Sequence, residues 1–417
     1  MAVHSYHDHV TGYARDRARD KIARLAARSL DLATLWRETS EVIAGQVPYY
    51  AAPCWFTLDP ASLLITSHFN EVMPELPPAR LVQEYFGDEA NKLVDIARSE
   101  RGISTLHEAT GGDPYGSQRW QQNMALGADQ EMFACLRTRT GEVWGALGLY
   151  REPDRPMFDA KDKAFVRSVA PCLAEGARRS LLCGEASDPE GPESPGLLIV
   201  NEHWNIESAT PDIDRWLSEL PGGDTGQLPS SVLAIAAQAL EAMRHPANTD
   251  DVVVSRVLSR SRNWVMLHGT TLVSTTSRRV AVIIEPAHPA RIAPLLMSAY
   301  GLTEREQELT RLVLQGASTT EIAERLVVSA HTVQQHLKSV FDKTGVRSRR
   351  DLVGKVFFAH YEPRVRDNER RAIEGRPLRG GPLAGSDAQS GSPQHSWPRA
   401  PAARRRHTGD PTSDRTA

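Results

Sequence analysis

The amino-acid sequence predicts two α+β domains followed by a small all-α domain of four helices. β-rich runs and amphipathic helical patterns alternate over residues 1–286. The stretch CGEASDPEGPESPG, with four acids and three prolines, interrupts them and has the composition of a linker. Over residues 302–361, apolar residues recur instead at helical spacing behind Ser and Thr residues suited to helix N-termini.

The composition is that of an ordinary globular protein. Of the 417 residues, 40% are apolar and 24% are charged. No apolar run reaches the roughly 18 residues of a membrane span, and the N-terminal residues lack the apolar core of a secretory signal. The cysteines form no CxxC pair, which is typical of reduced thiols: Cys54, Cys135, Cys172 and Cys183. We therefore expect a cytoplasmic protein without a membrane partner.

Charge is distributed unevenly along the chain. The formal net charge is −3, but residues 1–301 carry 29 basic and 38 acidic side chains. Residues 302–361 carry nine basic and seven acidic side chains, and residues 362–417 carry 11 and seven. We therefore expect a polyanion to meet the C-terminal part of the chain.

Residues 1–184 are predicted to form the first α+β domain. A helical pattern covers residues 13–47. APCWFTLDPASLLITSHF predicts two strands around an Asp-Pro turn, and EMFACLRTRTGEVWGALGLYR predicts a hairpin at a Thr-Gly pair. A helix is expected around residues 89–99, and a longer amphipathic helix from Asp159.

Residues 185–195 are the linker, and residues 196–286 are predicted to form the second α+β domain. GLLIV, WVMLHGTTL and RVAVIIEP predict strands, and IDRWLSEL predicts a short helix. A short connecting helix with one apolar face is predicted over residues 287–301. Residues 362–417 are rich in Pro, Gly, Ser and Arg, and we expect a disordered basic tail because they cannot bury enough apolar surface.

Residues 302–361 carry the most specific pattern. Two hydroxyl residues are each followed three positions later by Glu, as in capping boxes: Thr303 with Glu306, and Ser318 with Glu321. Ser329 is expected to cap a third helix that ends at Gly345, and Ser348 to cap a fourth. A tight turn between the second and third helices is typical of a helix-turn-helix unit.

The third helix, residues 330–344, is predicted to have one polar face. Its apolar residues recur at helical spacing and mark the buried side: Val333, Leu337, Val340 and Phe341. Four polar residues should therefore point outward together: His331, Gln334, Gln335 and Lys338. Glutamine can pair bidentately with adenine and lysine reaches guanine acceptors, so this face could read bases. An ordinary solvated helix face has the same composition and is the alternative.

Basic residues follow this face and would lie near backbone phosphates: Lys343, Arg347, Arg349 and Arg350. The whole segment resembles the LuxR-type DNA-binding domain through LTERE, EIAERL, VSAHTV, HLKSVFDKTGV and SRRDL. The resemblance implies that residues 330–344 are a recognition helix for the major groove. It implies base contacts by Gln334, Gln335 and Lys338, and phosphate contacts by Ser329 and Thr332. Position 334 is commonly Lys or Arg in this family, so DNA binding is implied but no particular base.

The N-terminal residues exclude some classes of LuxR-type regulator and resemble others. Residues 1–120 lack the βα alternation of a receiver domain, and the chain has no GxxxxGK[ST] phosphate loop. Residues 30–183 resemble a GAF domain through WFTLDPASLLIT, RTGEVWGALGLYRE and the helix after PMF. Residues 196–286 resemble a PAS domain through GLLIVNEHWNIESATPDIDRWL and the late strands. Both folds commonly enclose a small-molecule cavity or serve in dimerisation.

These observations predict a DNA-binding transcriptional regulator that acts as a homodimer on an inverted repeat in double-stranded DNA. RNA polymerase and a small-molecule effector are the further partners, and no cofactor or metal is expected. The chain shows no Ser/His/Asp signature and no paired metal spacing, so we do not expect an enzyme. Two alternatives stay open: a constitutive regulator whose N-terminal domains only dimerise, and an enzyme with an appended DNA-binding domain.

Overall fold

In this computed structural model, the described part of the chain forms two antiparallel sheets of five strands each, followed by a helical unit. None of the described helices is long and apolar enough to cross a membrane. The connecting helix predicted over 287–301 and the tail predicted over 362–417 fall almost wholly outside the described residues. Those are residues 2–72, 77–182, 194–223, 226–244, 252–272, 278–287, 297, 300–353 and 373, with side chains described from residue 13 onward.

Seven helices of the described residues belong to the domain of the first sheet. Its strands are β1 (Cys54–Leu58), β2 (Ile65–Phe69), β3 (Ile103–Thr105), β4 (Gln130–Arg137) and β5 (Val143–Arg151), in the order β2-β1-β5-β4-β3. The helices are α1 (Ala2–Ala27), α2 (Leu32–Ala44), α3 (Pro78–Val82), α4 (Leu93–Arg98), α5 (Leu106–Ala109), α6 (Gln118–Ala125) and α7 (Ala160–Leu182). The predicted pairings of β1 with β2 and of β4 with β5 are confirmed.

Both faces of the first sheet are buried. All five residues of β1 are buried, and successive side chains belong to different cores because strand residues alternate between faces. Trp55 packs with α1, α2 and α7 and stacks on Trp36, with ring centroids 4.5 Å apart. Phe56 faces the other core, which includes residues of α3 and α4.

The second sheet has the same strand order as the first. Its elements are β6 (Gly196–Asn201), β7 (Ile206–Ala209), α8 (Ile213–Glu219), α9 (Ser230–Arg244), β8 (Val253–Leu258), β9 (Trp264–Leu272) and β10 (Arg279–Pro286), and its order is β7-β6-β10-β9-β8. The strands predicted from GLLIV, WVMLHGTTL and RVAVIIEP and the helix predicted from IDRWLSEL are confirmed. Sequence reasoning missed β7, β8 and α9.

Helix α9 lies between the two sheets. It packs on β8, β9 and β10 of the second sheet and on β2 and α3 of the first domain. Nearly all of its residues from Ser231 to Leu240 are buried, as expected for a helix that is apolar all round. Gly269 in β9 permits this close approach, because an added Cβ would lie 2.9 Å from Ile235 Cγ1 and 3.1 Å from the Ile235 carbonyl oxygen.

An ion pair also joins the two sheets. Arg256 in β8 donates through Nη2 to Asp59 Oδ1 at 2.5 Å and through Nε to Asp59 Oδ2 at 3.2 Å. The backbone N–H of Arg256 donates to the same carboxylate at 3.1 Å. Only 2% of the Asp59 side chain is exposed, and Arg256 is its bidentate partner.

The helical unit follows residue 300. Its helices are α10 (Glu304–Leu314), α11 (Thr319–Leu326) and α12 (Ala330–Thr344), and residues 349–353 are also helical. The predicted capping boxes at Thr303 and Ser318 are both present. The core of the unit includes Leu309, Ile322, Leu326, Val333, Leu337, Val340 and Leu352. Residues 354–361 of the predicted unit lie outside the described residues.

Candidate nucleic-acid interface and ligand cavity

The turn between α11 and α12 is short and left-handed at one residue. Val327 has φ of 55° and ψ of 49°, and 88% of it is exposed. Its N–H donates to the Glu324 carbonyl oxygen, and the Val328 N–H donates to the Ala323 carbonyl oxygen. These two bonds form the Schellman arrangement that ends a helix, although glycine is the usual residue at the left-handed position. The turn therefore fixes where α12 begins.

The outward face of α12 has the predicted composition. His331, Gln334, Gln335 and Lys338 are exposed, whereas Val333, Leu337 and Val340 are buried. Gln335 Nε2 lies 3.1 Å from His331 Nε2, and Gln334 Nε2 lies 3.5 Å from Thr319 Oγ1 at the start of α11. These contacts are at the surface, so the amide groups are accessible to an approaching ligand.

The N-terminus of α12 presents hydroxyl groups. Ser329 Oγ accepts the Thr332 N–H at 3.0 Å and shares a hydrogen bond with the Thr332 hydroxyl at 2.8 Å. Ser329 is exposed and Thr332 is half-buried. The first N–H groups and the positive end of the helix dipole make such a terminus suited to a phosphate.

Glu306 fixes the position of α12 against α10. Its Oε2 accepts the Thr303 N–H at 2.7 Å and lies 2.6 Å from Lys343 Nζ, while its Oε1 accepts the Ser339 hydroxyl at 2.7 Å. Burial alone would raise the pKa of Glu306, but the bonds from Lys343 and Ser339 outweigh it and lower that pKa. The sequence showed Glu306 only as a capping residue, because its partners on α12 are 33 and 37 positions away.

The four predicted phosphate-contacting basic residues have different surroundings. Lys343 is bonded to Glu306, and the Arg349 guanidinium donates to the Ala317 carbonyl oxygen. Arg347 and Arg350 are exposed. The structure thus brings Arg347 and Arg350 to the surface beyond the C-terminus of α12, while Lys343 and Arg349 also hold the unit together.

Comparison with known proteins agrees with this geometry. The family model described as bacterial regulatory proteins, luxR family, matches residues 301–356. This segment is a LuxR-family helix-turn-helix domain. Over 55 residues, 13% of the chain, it is 50% identical to Mb0914c of Mycobacterium bovis, which is named as an HTH-type transcriptional regulator. Over 56 residues it is 41% identical to the monoamine regulon transcriptional regulator of Klebsiella aerogenes. The chain spans only 6% and 25% of the lengths of these relatives.

Similarity to solved structures is low. VqmA of Vibrio cholerae, described as a LuxR-type receptor that binds DNA, is 15% identical with a TM-score of 0.19, over 40% of this chain and 83% of VqmA. The bacteriophytochrome RpBphP3 of R. palustris is 10% identical with a TM-score of 0.30, over 65% of this chain and 62% of that one. At these scores neither likeness carries an argument about this chain.

A cavity far from the LuxR-family domain in sequence opens beside the first sheet. Its volume is about 560 Å³, which lies within the range typical of small-molecule sites. Apolar side chains form much of the described lining, including Ala52, Ala79, Ala125, Leu126 and Ala128. Polar groups line it as well: Tyr50, Asn70, Arg80, Gln122, Asn123 and Tyr150.

Arg80 joins this cavity to a buried network of charges. The network contains two guanidinium groups and two carboxylates: Arg80, Arg119, Glu84 and Glu131. Arg80 contacts both carboxylates, and Arg119 lies 2.8 Å from Glu84 Oε1 and 3.2 Å from Glu131 Oε1. Asn91 and Asn123 also donate to Glu131, at 2.9 Å and 3.0 Å. The positive and negative charges of the network therefore balance.

Burial and the neighbouring arginines shift the pKa values of groups near the cavity in opposite directions. It would raise the pKa of Glu131, but Arg119 and Arg80 outweigh it and hold that pKa below the ordinary 4.5. Burial raises the pKa of the Cys54 thiol to about 11 and the pKa of the Tyr150 hydroxyl well above 10. At neutral pH Cys54 is thus a thiol and not a nucleophilic thiolate. Sequence reasoning missed this network, for which the local sign is the acidic Glu131 beside the apolar run of β4.

Proposed function

We propose that this protein is a sequence-specific DNA-binding transcriptional regulator whose LuxR-family domain inserts α12 into the major groove. The observation that carries the proposal is the exposed face of Gln334, Gln335 and Lys338 opposite the buried side of α12. These side chains can read base edges. In the helix-turn-helix pair of α11 and α12, the second helix, α12, is the one expected to enter the groove. Both relatives are named as transcriptional regulators, which supports the same function.

The remaining polar residues of the unit suit the DNA backbone. Ser329 and Thr332 at the start of α12 and Arg347 and Arg350 beyond its end would contact phosphates on either side of the groove. Lys343 and Arg349 would add to this positive surface. A homodimer would place two such units on an inverted repeat, with half-sites about one helical turn apart.

The N-terminal domains, GAF-like over 1–184 and PAS-like over 196–286, would sense a small molecule and convey its binding to the DNA-binding unit. The cavity beside the first sheet supports sensing, because its size and mixed lining fit a small ligand. Met297 and Leu302 belong to the core of the helical unit. The chain therefore enters this unit through buried contacts, which a change in the N-terminal domains could shift.

The base-reading assignment is tested by selecting an operator from random DNA with the purified protein and comparing single variants. Gln334→Ala and Gln335→Ala should each weaken operator binding by about 1–3 kcal/mol while leaving binding to random DNA nearly unchanged. Gln315→Ala, at an exposed glutamine at the end of α10, is the matched control and should bind like the parent protein. Equal losses on operator and random DNA would contradict base reading, and selection of a single half-site at 1:1 stoichiometry would contradict the dimer.

A further inference from the structure

We infer that the cavity beside the first sheet binds a small, electrically neutral and largely apolar molecule that carries an N–H or O–H donor. The inference rests on the proposed function in one respect, namely that the N-terminal part of the chain senses a ligand. It adds the chemical class of the ligand.

Neutrality follows from the charges around the cavity. Arg80 is the one charged residue in its described lining, and its guanidinium already contacts Glu84 and Glu131. Arg119 completes the balance, and all four side chains are at most 9% exposed. An ion placed against this buried and balanced network would bring an uncompensated charge beside it, which is unfavourable. A neutral ligand leaves the balance unchanged.

The expected hydrogen-bond donor on the ligand is inferred from a buried acceptor atom of Gln122 that has no partner. Gln122 Oε1 is buried and has no hydrogen-bond partner among the described residues, and Gln122 lines the cavity. A buried acceptor without a partner costs about 1–3 kcal/mol. The half-buried Gln122 side chain has to turn this oxygen toward the cavity, where a ligand N–H or O–H group would remove that cost, so the ligand is expected to carry such a donor.

The largely apolar surface expected of the ligand is inferred from the remaining residues of the cavity lining. Ala79, Ala125 and Leu126 are exposed around the cavity, while Ala52 and Ala128 are buried. Small alanine side chains leave space without offering hydrogen bonds, so an apolar ligand surface is the one that gains most by entering. The neutral thiol of Cys54 and the neutral hydroxyl of Tyr150 add no charge to this surface.

The site is tested by filling the cavity in the full-length protein and screening small fragments by ligand-observed NMR. The fragment set contains equal numbers of neutral, anionic and cationic molecules on shared scaffolds. Ala79→Trp and Ala125→Trp place a bulky ring at exposed positions in the lining, so folding should survive. Ala27→Trp, at an exposed position at the end of α1, is the matched control.

We expect both filling variants to lose the same fragments, these fragments to be predominantly neutral donors, and Ala27→Trp to retain them. If no fragment is lost, the cavity is not a ligand site, and if the lost fragments are mainly ions, the neutral class is wrong. Either result overturns the inference.

The donor requirement is tested with Gln122→Leu, beside Gln121→Leu as the matched control at an exposed neighbouring position. Gln122→Leu should weaken fragments with a donor about five- to tenfold and leave their N- or O-methylated analogues unchanged. Equal effects on both classes would overturn the role of Gln122. Operator affinity is measured on the same samples. Preserved operator binding without cavity ligands refutes only this inference, whereas cavity ligands without operator preference refute the proposed DNA-binding function.

Discussion

Both sheets run in the order second, first, fifth, fourth, third strand, yet their surroundings differ. The first sheet is buried on both faces and borders a balanced charge network and a cavity of about 560 Å³. The second sheet is covered on one face by the apolar helix α9, while its other face leaves Leu197 37% and Ile283 38% exposed. The same strand order is therefore compatible with two surroundings, because the covering segments and not the sheet decide whether a cavity remains.

Among the changes that should affect one sheet more than the other, Glu131→Gln in the first domain is expected to have the largest effect on stability. Glu131 is fully buried and accepts bonds from Arg80, Arg119, Asn91 and Asn123, so the change leaves an excess positive charge inside. We expect the free energy of opening around the first sheet to fall by about 3–5 kcal/mol. Hydrogen exchange of peptides from β4 and β5 measures this, with Glu100→Gln at an exposed position as control. Equal effects of the two variants would contradict a structural role for the network.

Acid, like Glu131→Gln, should destabilise the first sheet more than the second. Because the pKa of Glu131 is held below 4.5 in the folded protein, its ionisation stabilises the fold above that pH, and this contribution is lost as pH falls further. We expect exchange around the first sheet to accelerate below about pH 4.5 before exchange around β9 and β10 does. In Glu131→Gln this part of the pH dependence should disappear. Earlier acid opening of the second sheet would contradict the assignment.

The coupling between the sheets is tested by Arg256→Ala. The change leaves Asp59 buried without its bidentate partner. We expect the free energy of unfolding to fall by about 3 kcal/mol. This value is at the low end for a broken buried pair because the Arg256 side chain is 12% exposed. The two sheets should then unfold in separate steps in urea, as resolved by hydrogen exchange. Arg278→Ala, at an exposed position near the start of β10, should leave unfolding unchanged. A single shared transition in Arg256→Ala would argue that α9 alone couples the sheets.

The tight cover of the second sheet predicts a smaller effect for Gly269→Ala. The added methyl group would lie 2.9 Å from Ile235 Cγ1 and 3.1 Å from a backbone oxygen of α9, so the helix must move. We expect the free energy of local opening to fall by about 1–3 kcal/mol, measured as faster hydrogen exchange in α9 and β9. Gly116→Ala meets no atom within 4 Å and should not change exchange there. Unchanged exchange in Gly269→Ala would mean that α9 can move away from β9 at little cost.

The sequence by itself determined the elements whose signals are local. Capping boxes at Thr303 and Ser318, the outward face of α12 and the hairpin of β4 and β5 all depend on residues a few positions apart, so helical and strand periods suffice to predict them. The base-contacting set Gln334, Gln335 and Lys338 stays a prediction, supported by its exposure. Helix α9 was missed because it lies between two sheets and therefore has no polar stripe to mark it as amphipathic.

Only the tertiary structure decided which distant residues meet. Glu306 meets Lys343 across 37 positions, Arg80 meets Glu131 across 51, and Asp59 meets Arg256 across 197. Each charge taken alone is an ordinary surface residue in the sequence, and its partner is fixed only when packing brings the two side chains together. The cavity has the same origin, since the arrangement of α3 and α6 against β1 and β5 leaves space between alanines far apart in the chain. Local spacing encodes helices and strands, whereas the charges and cavities between them depend on how those elements pack.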